Sequence, residues 1–297
     1  MNDTARRPIT VLDTHVHFWD VDELDYPWLA AEPTLNRTWV PSDLLAESHI
    51  RGDHTVRGVI FVQADCAWPD AMREVDWVTG LAENGAPIVG AVAAVPLELG
   101  SSCAQQINRL AANPLVVGVR RLLQDMPPGF ALADSFVEAV QMLGDADLTF
   151  DICIREHQLP EAVALVERCP DVTFVLDHLG KPRLSPEHWV PWADGLTALS
   201  EFPNVYCKLS GLPGEVAGGE ADLVTFTAYL QLALEVFGPQ RCMFGSDWPV
   251  SALDFSYADW VGVVDHVLDL CTEQERAAVW SGTARRVYTL NVATEEV

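Results

Sequence analysis

Two histidines, two residues apart, are the side chains of this sequence best suited to chemistry. His15 and His17 end an apolar run that begins at Ile9. Alternate residues of a β-strand point to the same side, so both imidazoles should share one face of the strand with Asp13. Asp13 could then supply a hydrogen bond to an imidazole. Paired imidazoles with a supporting carboxylate are typical of sites that bind a metal ion or move a proton.

Two further groups of this kind end other apolar runs. His178 closes a run that starts at Val172, and Asp247 closes a run that starts at Cys242 and stops before Pro249. Proline cannot continue a strand ladder, so the strand should end there. A carboxylate at such a strand end could bind a metal or remove a proton from water.

Two cations and three tryptophans are candidates for contact with a substrate. Lys208 lies near the end of a predicted strand, where it could meet substrate oxygen atoms or form a structural ion pair. Adjacent strand residues face opposite ways, so only one of Arg120 and Arg121 can point inwards, and we expect Arg120. Indole rings near the same strand ends could pack on the apolar face of a substrate or only fill the core. These tryptophans are Trp19, Trp28 and Trp248.

Short apolar runs alternate with longer amphipathic segments, which is the pattern of βαβ units with a parallel sheet. The predicted strands are Ile9–His17, Val56–Gln63, Ile88–Val95, Val116–Leu123, Leu148–Ile154, Val172–His178, Val205–Leu209 and Cys242–Asp247. The predicted helices are Asp70–Glu83, Gly100–Ala112, Asp134–Leu143, Leu159–Arg168, Trp189–Ser200, Ala221–Phe237 and Asp259–Asp269. We therefore predict one α/β domain over residues 1–297, a (β/α)8 TIM barrel whose carboxyl end carries the chemistry.

A doubly wound open sheet is the alternative architecture. Its dinucleotide site is poorly supported, because no Gly-x-Gly-x-x-Gly motif follows the first strand. The long segment Phe18–Asp53 has helical character only at Ser42–Ser48. Because it follows the first strand, we expect it to cover the barrel mouth, where it could shape substrate access or form only an aromatic cover.

Composition excludes several classes of partner. The chain has 297 residues, and 43 acidic against 18 basic side chains give a formal net charge of −25. Such a charge repels phosphate backbones and anionic membranes, so we expect neither nucleic acid nor a membrane as partner. The seven cysteines form no Cys-x-x-Cys pair and read as reduced core residues. No signal segment precedes the first strand, and we expect a cytoplasmic protein.

Ordered motifs along nearly the whole chain resemble the amidohydrolase superfamily, in its amidohydrolase-2 branch. Asp13-x-His15-x-His17, the strand end at His178 and Phe244-Gly-Ser-Asp-Trp-Pro249 carry this resemblance. Other segments resemble sugar lactonases of the L-fuconolactonase and L-rhamnonolactonase type. These segments are His17-Phe-Trp-Asp20, Tyr26-Pro-Trp-Leu29, Gly118-Val-Arg120-Arg121, His157-Gln158-Leu, Leu176-Asp-His178-Leu-Gly-Lys-Pro182 and Asn204-Val-Tyr-Cys-Lys208-Leu-Ser-Gly211.

The resemblance implies an enzyme of carbohydrate catabolism that opens a sugar-acid lactone, an aldono-1,4- or 1,5-lactone, by water attack. Such a hydrolysis needs a water made nucleophilic, and we expect Asp247 to act as the general base. One Zn²⁺ could be held by His15, His17, His178 and Asp247, or the imidazoles could act without a metal. Binuclear relatives carry a carboxylated lysine on strand 4 and a histidine on strand 5. This chain has Gly118–Arg121 and Asp151–Ile154 there, so a binuclear site is not expected.

Two other functions stay open at this point. The same branch resembles metal-dependent decarboxylases and hydratases of small organic acids, which rely on a firmly held metal. A third hypothesis is a catalytically inactive barrel that binds a carbohydrate or a partner. The presence of His15, His17, His178 and Asp247 argues against it. The sequence is compatible with a monomer or a homo-oligomer.

Overall fold

Eight parallel strands form a nearly closed barrel in this computed structural model, which describes residues 9–48, 54–216, 223–253 and 255–290. Neighbouring strands pair in sequence order from β1 to β8. The strands are β1 (Ile9–Val16), β2 (His54–Val62), β3 (Ile88–Ala94), β4 (Val116–Leu122), β5 (Thr149–Cys153), β6 (Phe174–Leu176), β7 (Val205–Leu209) and β8 (Cys242–Phe244). The predicted (β/α)8 architecture is confirmed, and the open sheet is excluded.

Helices lie between the strands. The α-helices described are α1 (Pro41–Glu47), α2 (Ala71–Glu83), α3 (Ala104–Ala111), α4 (Asp134–Asp145), α5 (Leu159–Arg168), α6 (Pro186–Ser200), α7 (Leu223–Phe237), α8 (Tyr257–Val267), α9 (Glu273–Ala277) and α10 (Thr283–Val287). Ala221, where the sixth of the predicted helices was expected to start, lies outside the described residues, as does the end of the predicted segment Phe18–Asp53. Among the described residues, no helix has both the length and the apolar character needed to cross a membrane.

The last strand meets the first beyond its own end. Val16 pairs with Trp248 in a parallel bridge. The backbone N–H of Asp247 donates to the carbonyl of His15 at 2.8 Å, and the N–H of His17 donates to the carbonyl of Trp248 at 2.8 Å. The loop after β8 therefore continues the sheet edge of β1, which brings Asp247 beside the two histidines.

Two predicted strands are too long. β6 ends at Leu176 and β8 at Phe244, so His178 and Asp247 lie in the loops that follow. Both residues have a positive φ, 53° and 61° respectively. A left-handed backbone is incompatible with a strand, and it turns the chain sharply at both positions. Each side chain is thereby presented by a tight turn rather than by strand alternation.

The core has two parts. Aromatic rings from neighbouring elements pack between the helices and the barrel, as Phe136, Phe150 and Phe174 do with centroid distances of 6.0 and 6.1 Å. A smaller cluster joins side chains from five strands, so it fills the barrel interior, and Tyr288 at the end of α10 packs against it. All seven cysteines are free, and six of them are buried, which fits reduced core residues.

Candidate active site

The four predicted groups meet at the carboxyl end of the barrel. Asp247 Oδ1 lies 3.6 Å from His15 Nε2, 3.4 Å from His17 Nε2 and 3.7 Å from His178 Nε2. None of the four residues is more than 7% exposed. One carboxylate oxygen thus faces three imidazole nitrogens in a nearly closed space, which we call the central cluster (His15, His17, His178, Asp247).

A neighbouring carbonyl fixes the proton of one ring, and the surroundings of a second ring favour one tautomer. His17 Nδ1 lies 2.7 Å from the carbonyl of Val62, and His15 Nδ1 lies 3.2 Å from a carboxylate oxygen of Asp177. A carbonyl oxygen only accepts, so His17 carries its proton on Nδ1. A cationic donor faces each nitrogen of His15, Lys208 at 3.3 Å from Nδ1 and Arg120 at 3.3 Å from Nε2. The form of His15 with its proton on Nδ1 is the one that donates to Asp177 and accepts from Arg120. Burial lowers the pKa of both imidazoles, which favours these neutral forms.

The third ring is less constrained. His178 Nδ1 lies 2.9 Å from the hydroxyl of Ser210. A hydroxyl can donate or accept, so neutral His178 can carry its proton on either nitrogen. Burial lowers the pKa of His178 to about 4, so the ring is neutral at physiological pH. Its Nε2 can therefore donate a hydrogen bond, unlike the Nε2 atoms of His15 and His17.

The donor set of the central cluster suits a metal ion. The Nε2 atoms of His15 and His17 are 3.2 Å apart, and both lone pairs and Asp247 Oδ1 face the same small volume. Electron-rich atoms at this distance repel one another unless a cation lies among them. Neutral imidazoles with a carboxylate are ordinary zinc ligands.

Two groups of described side chains are close enough to hold a metal, and they are His15 with His17 and Asp247, and His15 with Asp177 and His178. In the second group, the Lys208 ammonium lies 3.3 Å from His15 Nδ1 and 3.1 Å from Asp177 Oδ1. The ammonium of Lys208 therefore already occupies the place beside these ligand atoms where a metal ion would bind. The first group can hold one metal ion. His178 Nε2 lies 3.7 Å from Asp247 Oδ1 but does not belong to this group, so the structure brings three of the four predicted ligands together for a metal.

Asp247 is held in place from both sides of the carboxylate. Its Oδ2 accepts a hydrogen bond from Ser251 Oγ at 2.9 Å, while Oδ1 faces the imidazoles. Burial opposes ionisation, but His178, whose Nε2 can present a proton to the carboxylate, is the largest of the opposing influences, which together keep the pKa of Asp247 well below its usual range. The carboxylate is therefore ionised, as a metal ligand or a general base must be.

Asp13 does not contact an imidazole, contrary to the prediction. Its Oδ1 accepts from the backbone N–H groups of His15 and Ser246, and its Oδ2 accepts from the Tyr257 hydroxyl of α8. The register of β1 against β2 shifts between Asp13 and Val16, so strict alternation does not extend through the motif. Asp13 instead ties β1 to the loop that carries Asp247.

Lys208 lies beneath the central cluster and is completely buried. Its ammonium lies 2.6 Å from Asp151 Oδ2 and 3.1 Å from Asp177 Oδ1. Burial opposes the charge, but these two carboxylates outweigh it and raise the pKa of Lys208. The structural ion pair, one of the two roles considered for this residue, is the one its surroundings fit, and we reassign Lys208 from substrate contact to support of His15.

Arg120 and Arg121 face opposite sides of β4. Arg121 forms an ion pair with Glu98 on the helix side of the barrel, with 2.9 Å between Nη2 and Oε1. Arg120 is 4% exposed and lies inside, where its Nη1 is 3.3 Å from His15 Nε2. It is therefore part of the surroundings of the central cluster.

The tryptophans form a cover rather than an open stacking platform. Trp19 and Trp248 have no exposed surface, and each packs edge to face on Trp39, with centroids 6.4 and 5.3 Å apart. We reassign both to packing for this reason. Trp28 is only partly buried and donates its indole N–H to the carbonyl of Ala64 at 2.8 Å. It is the predicted aromatic contact that keeps some accessible surface.

The sequence analysis missed several groups that orient the cluster, and these are Val62, Asp151, Asp177 and Ser210. A signal existed for Asp177, because it directly precedes His178 at the end of a predicted strand. Gly211 is a further case. A Cβ atom at this position would lie 2.2 Å from His178 Nδ1, and its φ is +70°. Only glycine lets the β7 loop pass this close to the imidazole.

Comparison with known proteins decides the family. The family model described as amidohydrolase matches residues 12–290. The chain belongs to the amidohydrolase family. An L-fucono-1,5-lactonase from Burkholderia multivorans is 34% identical to this amidohydrolase over 94% of the chain and 96% of the relative. An L-rhamnono-gamma-lactonase from Scheffersomyces stipitis is 28% identical over 66% of the chain and 67% of the relative.

A solved structure has the same fold and bears on the metal. The crystal structure of an amidohydrolase from Burkholderia multivorans with bound zinc has a TM-score of 0.84 and 34% sequence identity. The match covers 95% of this chain and 99% of the chain in that crystal structure. The predicted family resemblance is confirmed, and the expectation that one zinc ion could bind is supported by this neighbour together with the donor set of the central cluster.

Proposed function

We propose that this amidohydrolase opens a sugar-acid lactone by hydrolysis, with a small sugar lactone as its partner. The observation that carries the proposal is the central cluster, in which an ionised carboxylate faces three neutral imidazoles at the carboxyl end of the barrel. Relatives over most of the chain named as lactonases for fuconic and rhamnonic acid support this substrate class. The lactones in the names of these two enzymes are both lactones of aldonic acids.

Hydrolysis of a cyclic ester needs a base for water and a donor for the carbonyl oxygen. Asp247 takes a proton from water as the water oxygen forms a bond to the carbonyl carbon, and the carbonyl π electrons move to its oxygen. His178 is suited to stabilise that oxygen, because its Nε2 can carry a proton. A bound Zn²⁺, held by His15, His17 and Asp247, would act as a Lewis acid and increase the acidity of the water.

Collapse of the tetrahedral intermediate completes the reaction. The oxyanion electrons re-form the carbonyl, and the bond between the carbonyl carbon and the ring oxygen breaks. Asp247, now protonated, returns its proton to the leaving alkoxide, which becomes a hydroxyl group of the open-chain acid. Ser251 holds the other oxygen of Asp247 through both steps.

A panel of aldono-1,4- and 1,5-lactones tests the proposal. Hydrolysis releases acid, so a pH indicator in weak buffer reports the rate, and each lactone is measured with and without a chelator. We expect at least one sugar lactone to be hydrolysed far faster by the wild-type enzyme than by buffer and by Asp247→Asn. No acceleration with any lactone would overturn the proposal. Release of CO₂ from small organic acids would identify the decarboxylase alternative instead.

A further inference from the structure

Arg120 occupies an unusual place for a permanently charged side chain. It is 4% exposed, and its Nη2 donates to the carbonyl of Gln63 at 2.6 Å. Its Nη1 lies 3.3 Å from Asp177 Oδ2 and 3.3 Å from His15 Nε2. The guanidinium is therefore fixed by the residue that follows β2 and by the loop after β6, and it points at the central cluster from β4.

The contact with His15 is the one that matters for a metal. With its proton on Nδ1 towards Asp177, His15 has a lone pair on Nε2, and the guanidinium of Arg120, which carries only donors, lies 3.3 Å from that nitrogen. A metal ion in the group His15, His17 and Asp247 would need that same lone pair. One nitrogen cannot serve both. A metal that binds must also approach a fixed positive charge.

We propose that Arg120 is an internal cation of the central cluster that competes with a metal ion for His15 Nε2. With no metal bound, its guanidinium offsets the negative charge of Asp247 and of the oxyanion. The inference about metal affinity rests on geometry, and only the statement about the oxyanion rests on the proposed function. Lys208 cannot take this role, because its ammonium lies on the Nδ1 side of His15 and is neutralised by Asp151 and Asp177.

Metal affinity is the first test. Metal-free wild type, Arg120→Gln and Arg120→Lys are titrated with Zn²⁺ by calorimetry. Arg121→Gln is the matched control, because it removes the same side chain one residue away on the other face of β4. We expect Arg120→Gln to bind Zn²⁺ at least tenfold more tightly than wild type. Arg120→Lys keeps the charge and should bind within a few-fold of wild type, as should Arg121→Gln.

Equal or weaker Zn²⁺ binding by Arg120→Gln, with its folding confirmed by circular dichroism, would overturn the inference. Equal tightening by Arg120→Lys would also contradict it, because the positive charge would then be irrelevant. If Arg120→Gln does not fold, Arg120→Met, which also removes the positive charge, takes its place in the titration. The same tenfold tightening is then expected, and equal or weaker Zn²⁺ binding overturns the inference.

Activity gives a second, separate test. In the presence of a chelator, wild type should hydrolyse its lactone and Arg120→Gln should lose at least tenfold in kcat, and added Zn²⁺ should restore the variant. Retention of full chelator-resistant activity by Arg120→Gln would contradict the role at the oxyanion. If wild type hydrolyses no lactone at all, the proposed function fails, while the Zn²⁺ affinities still decide the competition.

Discussion

At the residue scale, the positions of three protons set what the central cluster can do. The carbonyl of Val62 holds the proton of His17 on Nδ1, and the carboxylate of Asp177 favours the same tautomer of His15, which leaves two lone pairs facing inwards. Ser210 leaves His178 free to present a proton. Two imidazoles are thus arranged to receive a cation, and the third to donate to an oxygen. Three identical side chains therefore acquire different roles from the groups that contact their Nδ1 atoms.

Asp247 provides the most direct test of catalysis. Asparagine has nearly the same shape and can still accept from Ser251, but it cannot remove a proton from water. We expect Asp247→Asn to lower kcat for lactone hydrolysis by about 10²–10⁴-fold, the usual contribution of a positioned general base. Steady-state kinetics on the best lactone of the panel measures this. The assignment fails if the variant, with an unchanged melting temperature, keeps more than a tenth of the wild-type kcat.

Lys208 tests the balance of buried charge. Lys208→Met leaves Asp151 and Asp177 without their shared ammonium, so we expect a loss of about 3–5 kcal/mol in the free energy of unfolding, measured in urea. In the double variant Lys208→Met with Asp151→Asn, one charge of each sign is gone and the new amide still accepts from Tyr288. The double variant should be more stable than Lys208→Met alone. Equal or lower stability would contradict this account.

At the element scale, the sequence predicts what depends on local periodicity. β7 and α5 have the bounds that the pattern predicts, because a hydrophobic period is set by neighbouring residues. Burial of Lys208 could not be predicted this way, since its partner Asp151 is 57 residues away. The left-handed turns at His178 and Asp247 also carry no periodic signal. Types and approximate places of the central residues were predictable, whereas their supporting contacts required the fold.

Glu74 connects three elements and should make stability depend on pH. It lies on α2, and its Oε1 accepts from the Ala64 N–H after β2 and from the Tyr26 hydroxyl in the segment after β1. Burial raises the pKa of Glu74 from 4.5 to about 7. Between these values the folded state keeps a proton that the unfolded state has lost. The free energy of unfolding therefore falls as pH rises through this window, by about 3 kcal/mol from this group.

A neutral replacement separates this effect from other titrations. Glu74→Gln keeps the acceptor for Ala64 and cannot ionise. Its free energy of unfolding in urea, relative to that of wild type, should therefore increase by about 1–3 kcal/mol between pH 4.5 and pH 8. Glu83→Gln makes the same change at an exposed position of α2 and should follow wild type at both pH values. A constant difference between Glu74→Gln and wild type would show that Glu74 does not titrate differently on folding.

At the scale of the whole molecule, the barrel assembles one site from side chains far apart in the chain. The central cluster and its supports come from β1, β2, β4, β5 and β7 and from the residues that follow β1, β6, β7 and β8, all at the same end of the barrel. The single-domain organisation over residues 1–297 stays a prediction. The charge of the chain is a separate property of the whole molecule, because most acidic side chains take no part in the site.

The formal net charge of −25 should make stability depend on salt. Folding brings these charges closer together than they are in the unfolded chain, so self-repulsion opposes the compact state, and added salt screens it. We expect the melting temperature of the metal-free protein to rise by about 2–4 °C between 0.02 and 0.3 M NaCl, which corresponds to about 1 kcal/mol. Choline chloride at equal ionic strength should give the same rise, because screening does not depend on which cation is present. A rise with NaCl alone would instead indicate specific binding of sodium. An unchanged or falling melting temperature in both salts would contradict the prediction, because it would show that the acidic side chains do not repel one another appreciably in the folded protein.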